Sequence, residues 1–239
     1  MTLQAVVEYC QGRLDNIARQ YLFGRGVSEQ SIESFGLGYC PFEVEDLVTT
    51  IGKESLLEEG VVFESEDGSI CCFIRNSIVF PFINHYGKVV SVSFRPIQSN
   101  DVIKSKNLRK YWHTSFEKSL FLYGLHKSIS AIRQQDCVIV VEGQFDVIMS
   151  HQFGINNTVG VGGTALSAQQ IKILSRLTKK IIVVFDGDKA GQRATEKVRQ
   201  KEVEDILITT ARLPDGEDVD SFLQLYGYDK YLELLSSAA

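Results

Sequence analysis

No stretch of this 239-residue chain approaches the ~20 consecutive apolar residues of a membrane span. Its amino terminus also lacks the charged-then-apolar pattern of a signal peptide. Both absences point away from bilayer insertion and secretion, and the expected setting is the cytoplasm. Cys10, Cys40, Cys71, Cys72 and Cys137 form no CxxC pair, which argues against a zinc ribbon or a disulfide scaffold. Reduced thiols buried in the core are the expectation for all five. Internal repeats and low-complexity tracts are missing as well. What remains is an ordinary globular composition, 44% hydrophobic, long enough for one large domain or two small ones.

A net charge of −5 argues at first against a polyanionic partner, but the charge is unevenly spread. Residues 1–67 hold 4 basic and 13 acidic residues, whereas residues 68–135 hold 10 basic and 2 acidic. The basic segment carries Arg75, Arg95, Lys104, Lys106, Arg109, Lys110 and Lys118. It could follow a phosphate backbone, or it could be a solvated loop.

Apolar positions near a 3.6-residue period predict a helix over Val6–Phe23, ended by Gly24 and Gly26. Ser28 is the expected N-cap of a second helix, and further helical turns are expected over Val44–Ile51 and Lys53–Glu59. From Ile70 the pattern becomes extended, over Cys71–Ile74, Ser77–Phe82 and Lys88–Phe94, with a turn at His85-Tyr86-Gly87. Asn100–Trp112 reads as a polar, basic loop. From Val138 onward strand and helix alternate, the mark of βαβ units and a parallel sheet. Strands are expected over 138–142, 157–161, 181–185 and 205–209, and helices over about 144–152, 167–178 and 190–203, with two short helical stretches ending at Ser236.

Acidic residues recur where these strands end. Glu142-Gly-Gln-Phe-Asp146 follows the first strand, Asp186-Gly-Asp188 the third, and Asp218-Val-Asp220 lies in the loop beyond Leu213. Loops leaving the carboxyl ends of parallel strands share one crevice, and carboxylates gathered there repel unless a cation sits among them. For oxygen donors the natural candidates are Mg²⁺ or Mn²⁺. Taken alone, Asp-Gly-Asp is as often a surface turn; the joint occurrence of three acidic groups favours a metal site able to serve phosphoryl transfer. Gly191 is expected to let helix and strand approach closely.

The elements Glu142-Gly-x-x-Asp146, Asp186-Gly-Asp188-x-Ala-Gly191 and Asp218-x-Asp220 resemble the Toprim domain shared by primases, topoisomerases and some nucleases. Tyr21-Leu-Phe-Gly-Arg25-Gly26, Phe35-Gly-Leu-Gly38-Tyr39-Cys-Pro41, Phe80-Pro81-Phe82, Phe94-Arg95, Lys110-Tyr111, Leu122-Tyr-Gly-Leu125 and Gly162-Gly-Thr164 resemble, in order, the catalytic core of DnaG-type primases. The resemblance covers about residues 15–235. It implies an α/β chain: a mixed α+β amino-terminal subdomain over residues 1–136, a parallel-sheet Toprim domain over 137–213, and an acidic loop with short helices over 214–239.

The implied activity is template-directed synthesis of short RNA primers from ribonucleoside triphosphates on single-stranded DNA, in a bacterial cell or a phage-infected host. By the same resemblance Glu142, Asp186 and Asp188 are catalytic, and together with Asp218 and Asp220 they hold Mg²⁺ or Mn²⁺, with Asp146 in support. Arg75, Arg95, Arg109, Lys110, Tyr111 and Lys118 are the expected nucleic-acid or nucleotide contacts. Tyr111 or Trp112 would stack a base, the competing reading being core aromatics. No stretch resembles a primase zinc-binding domain, so a replicative helicase or a separate zinc-bearing primase subunit is the expected protein partner. A Toprim-type nuclease and an inactive DNA-binding subunit of a split primase are the alternatives.

Overall fold

The computed structural model describes residues 2–72, 74–98, 110–114, 116–163, 165–200, 203 and 205–238. The chain packs as two compact units, Met1–Ile83 with Gly87–Phe116, and Asn84–Tyr86 with Glu117–Ala239.

In the first unit, helices α1 (Thr2–Gln11), α2 (Asn16–Gly24) and α3 (Glu29–Phe35) precede strand β1 (Gly38–Cys40). Helices α4 (Glu45–Ile51) and α5 (Lys53–Glu58) lead to a short antiparallel pair, β2 (Phe63–Glu64) and β3 (Ile70–Cys71). Strands β4 (Ser77–Ile83), β5 (Val89–Pro96) and β6 (Trp112–His113) complete an antiparallel sheet of order β1-β4-β5-β6. The expected helix over 6–23 is two helices. Gly12 follows α1, and the Asp15 side chain accepts the Ala18 N–H at 2.8 Å, starting α2 afresh. Ser28 caps α3 as expected, accepting from Ser31 N–H. Trp112, placed in a loop by its polar surroundings, pairs with Phe94 as an edge strand. The rest of that loop lies mostly outside the described residues. Of the thiols only Cys10 and Cys40 are buried. Cys71, Cys72 and Cys137 are half-buried, because the β2–β3 ribbon and the start of the next sheet lie near the surface; all five are free.

The second unit opens with a 3₁₀ turn (Lys118–Leu120) and helix α6 (Leu125–Gln135). It continues through β7 (Val138–Val141), α7 (Gln144–Gln152), β8 (Thr158–Gly160), α8 (Ala168–Leu174), β9 (Lys180–Val183), α9 (Lys189–Arg199), β10 (Leu207–Thr210) and α10 (Val219–Ser236). The four strands form a parallel sheet of order β10-β9-β7-β8. Val138-Ile-Val-Val is buried along its whole length, as a run covered on both faces must be, and anchors a core with Ile132, Val159, Leu174 and Ile181. Gly227, at φ 78°, divides α10 into the two helical stretches foreseen.

The strand order fixes where chemistry can occur. The connection from β7 runs to β8 on one side, and the chain then crosses to β9 on the other side of β7. The order in which strands are added therefore reverses between β7 and β9, and the crevice outside their carboxyl ends is where such sheets bind ligands. Glu142 directly follows β7, and Asp186 follows β9 within three residues.

Candidate metal and nucleotidyl-transfer site

Three acidic stretches meet at this crevice. Glu142 Oε1 accepts the Asp186 N–H at 3.1 Å, tying the end of β7 to the loop after β9. The Gly187 N–H donates to Glu217 O at 2.8 Å, tying that loop to the segment before α10. The Asp220 N–H donates to Asp146 Oδ1 at 3.1 Å, which brings α10 against α7. All three joins span distant parts of the chain, so tertiary structure and not local sequence assembles the cluster.

Glycine makes two of these approaches possible. A Cβ on Gly187 would lie 1.9 Å from Pro214 O, and a Cβ on Gly191 would lie 2.1 Å from Asp186 O and 2.8 Å from Glu142 Oε1. Neither gap admits a methyl group.

The acids occupy different environments. Asp188 is exposed and caps α9, its Oδ1 accepting the Ala190 and Gly191 N–H groups at 2.8 Å each. Glu142, Asp186 and Asp218 are half-buried, and Asp218 caps α10 by accepting the Ser221 N–H at 2.7 Å. Asp220 and Asp146 are buried, at 3% and 5% exposure. Asp146 Oδ2 accepts the Gly143 N–H at 2.7 Å, and Gln224 donates to Asp220 Oδ1 at 2.7 Å. Burial, with the charges of Asp218 and Asp220 beside it, pushes the Asp146 carboxyl up to about 7 despite its two backbone donors.

The donor chemistry fits a hard divalent cation: every side chain is an oxygen donor, and Asp218 and Asp220 stand close enough to Asp146 to add, after burial, to the rise of its carboxyl. Among the described residues, however, no three of these side chains form a ready-made cage.

Gln192, Glu217, Ser221 and Gln224 lie outside the acidic sequence elements yet border the site. Gln192 donates to Gly187 O at 2.8 Å, and Ser221 completes a capping box with Asp218. The Asp218-x-x-Ser221 spacing carried that second signal.

In the first unit, Arg95 is 1% exposed. Its Nε donates to Tyr21 Oη at 2.8 Å, and its guanidinium lies 5.1 Å from the Tyr111 ring centre. Tyr111 is half-buried and meets Phe80 edge-on at 6.1 Å. Arg75 is half-buried, 5.8 Å from the Phe42 ring, and Lys110 is exposed. Arg109 lies outside the described residues, as does the Lys118 side chain.

Fold and site together define a Toprim-like unit, and residues 139–223 match the Toprim-like family. Residues 8–129, just over half of the chain, match the DNA primase catalytic core, N-terminal domain. The chain belongs to the DNA primase catalytic-core family, as the ordered motifs implied. A DNA primase of Lactococcus lactis is 33% identical over 213 residues, covering 88% of this chain and 33% of the relative. The chain thus spans about a third of that curated protein's length. The crystal structure of the Aquifex aeolicus primase, with zinc-binding and RNA polymerase domains, superimposes with a TM-score of 0.88 at 27% identity, over 100% of this chain and 60% of that one. A DnaG primase catalytic domain bound to single-stranded DNA gives 0.87 at 27% identity, over 99% and 80%.

Proposed function

We propose that this chain is the polymerising core of a DNA primase, joining ribonucleoside triphosphates into short primers on a single-stranded DNA template. The observation that carries this is the meeting of the 142, 186–188 and 217–220 stretches at the switch point of the sheet, in a chain of this family. Glu142, Asp186 and Asp188, with Asp218 and Asp220, hold Mg²⁺ or Mn²⁺. When bound, divalent ions would neutralise triphosphate charge and favour attack of a sugar hydroxyl on the α-phosphorus, with pyrophosphate as the leaving group. The protein's own part is placement. Asp146 pins the start of α7 to the start of α10, Glu142 holds the 186–188 turn, and Asp188 keeps its second oxygen for a ligand while capping α9.

The domain limits 1–136, 137–213 and 214–239 belong to the same proposal. So do the nucleic-acid roles of Arg75, Lys110 and Tyr111, a cytoplasmic setting, and partnership with a helicase or a zinc-bearing subunit. No helix among the described residues is long and apolar enough to cross a membrane.

Incubating the chain with single-stranded DNA, labelled ribonucleotides and Mg²⁺ should yield short labelled RNA. The Asp186→Asn, Asp188→Asn double variant should reduce it by about a hundredfold or more. Cleaved DNA without RNA would favour a nuclease, and unchanged yield in the double variant would remove the acids from catalysis.

A further inference from the structure

A cavity of about 550 Å³ lies in the second unit between α9 and the end of β10, and Asp186 forms part of its wall. Its lining is strongly basic. Lys189, Arg193, Lys197, Arg199 and Arg212 face it, against the single further acid Glu196. Two of these cations are already engaged. Arg199 donates from Nε to Thr210 Oγ1 at 2.8 Å and pairs with Glu196 at 3.4 Å, while Arg212 pairs with Asp215 at 3.1 Å. Lys189, Arg193 and Lys197 have no acidic partner among the described residues.

These three stand four residues apart on one face of α9. With a rise of ~1.5 Å per residue, they form a row of charges about 6 Å apart and about 12 Å long. The row starts beside Asp186 and leads away from it. All three side chains are exposed, and they line a concavity whose charged residues, Asp186 and Glu196 apart, are basic.

We propose that this cleft holds the sugar-phosphate backbone of a nucleic-acid strand running along α9 from the acidic site. The length of the row favours a strand over a single nucleotide, whose triphosphate would satisfy only its near end. This rests on the proposed function only for the identity of the acidic site at the cleft's mouth.

The test is binding of single-stranded oligonucleotides by the whole chain in EDTA, where metal chemistry plays no part. The Arg193→Ala, Lys197→Ala double variant, with circular dichroism and Tm unchanged, should bind roughly tenfold more weakly at low salt. Its plot of log affinity against log salt should be shallower by about 1.4, the loss of two phosphate contacts on a single strand. Arg193→Lys with Lys197→Arg should retain wild-type binding, separating charge from fold. Unchanged affinity and slope in the alanine variant would overturn the proposal. So would loss of inorganic triphosphate binding with the oligonucleotide slope intact, which would assign the cleft to a nucleotide. If the wild-type chain made no primer but the alanine variant still lost strand binding, the polymerase reading would fall and the cleft would stand.

Discussion

Asp146 and Asp220, 74 positions apart, meet through a hydrogen bond from the Asp220 N–H to Asp146 Oδ1 at 3.1 Å, both residues buried. The bond places two carboxylates together in the interior, an arrangement that costs stability unless a proton or a cation offsets it. It also makes Asp146 the link between α7 and α10. Replacing Asp146 by Ala leaves the Gly143 and Asp220 N–H groups without acceptors. At about 1–3 kcal/mol for each orphaned group, a loss of roughly 2–6 kcal/mol is expected by chemical denaturation. Asp146→Asn keeps an acceptor for only one of the two N–H groups and sheds the charge, so it should lose about half as much. Equal losses in the two variants would remove the acceptor role.

The same carboxyl sets a pH dependence. Folding raises it from the ordinary 3.8 to about 7, mainly through burial and then through the charges of Asp218 and Asp220. The folded chain therefore binds this proton more tightly than the unfolded chain. Its contribution to stability is full below about pH 4 and is lost as pH rises through 7. In EDTA, Tm should fall across that window more steeply in the wild type than in Asp146→Asn. Millimolar Mg²⁺ at pH 8 should restore part of the loss in the wild type by binding the folded state alone. Parallel wild-type and variant profiles would show that Asp146 titrates normally.

Much of this was readable from residues alone, for definite reasons. Val138-Ile-Val-Val and Lys180-Ile-Ile-Val are β-branched runs with Gly nearby, so the βαβ rhythm was legible and with it the side of the sheet on which Glu142 and Asp186 emerge. The break between α1 and α2 was not. Its apolar period continues across residues 12–15, and only the cap at Asp15 overrides it. The burial of Asp220 was equally hidden, because its acceptor lies 74 residues away and no local pattern reports a contact of that range. Arg95 looked like a phosphate ligand by residue type; its enclosure by Tyr21 and Tyr111 depends on the pairing of β4, β5 and β6.

Gly187 and Gly191 offer a steric test. Alanine at either position puts a methyl group within 1.9–2.1 Å of a backbone carbonyl oxygen, which must move. Both variants should lose primer synthesis at least tenfold, since displacing the 186–188 turn by 1 Å spoils placement of the acids. Gly24→Ala, at the end of α2 with nothing within 4 Å of the added carbon, is the control. It should be neutral or raise stability by up to about 1 kcal/mol. Full activity in Gly191→Ala would show that the turn can shift without consequence.

Arg95 separates a structural role from a binding one. An exposed phosphate ligand could be removed with little change in folding, whereas a guanidinium at 1% exposure supports its surroundings. Tyr21→Phe removes the acceptor of the Arg95 Nε hydrogen bond at 2.8 Å. About 1–3 kcal/mol should go with it, because a charged donor loses its partner in the interior. Arg95→Ala should cost more, through lost packing against Tyr111 and an emptied volume. Arg95→Lys should fare little better, since an ammonium cannot reproduce the planar guanidinium that lies over Tyr111. The measurement is denaturant midpoint alongside oligonucleotide affinity. Variants that unfold readily yet bind DNA normally below their transition would make Arg95 a brace for Tyr21 and Tyr111. Unaltered midpoints with weakened binding would instead return it to the nucleic-acid contacts.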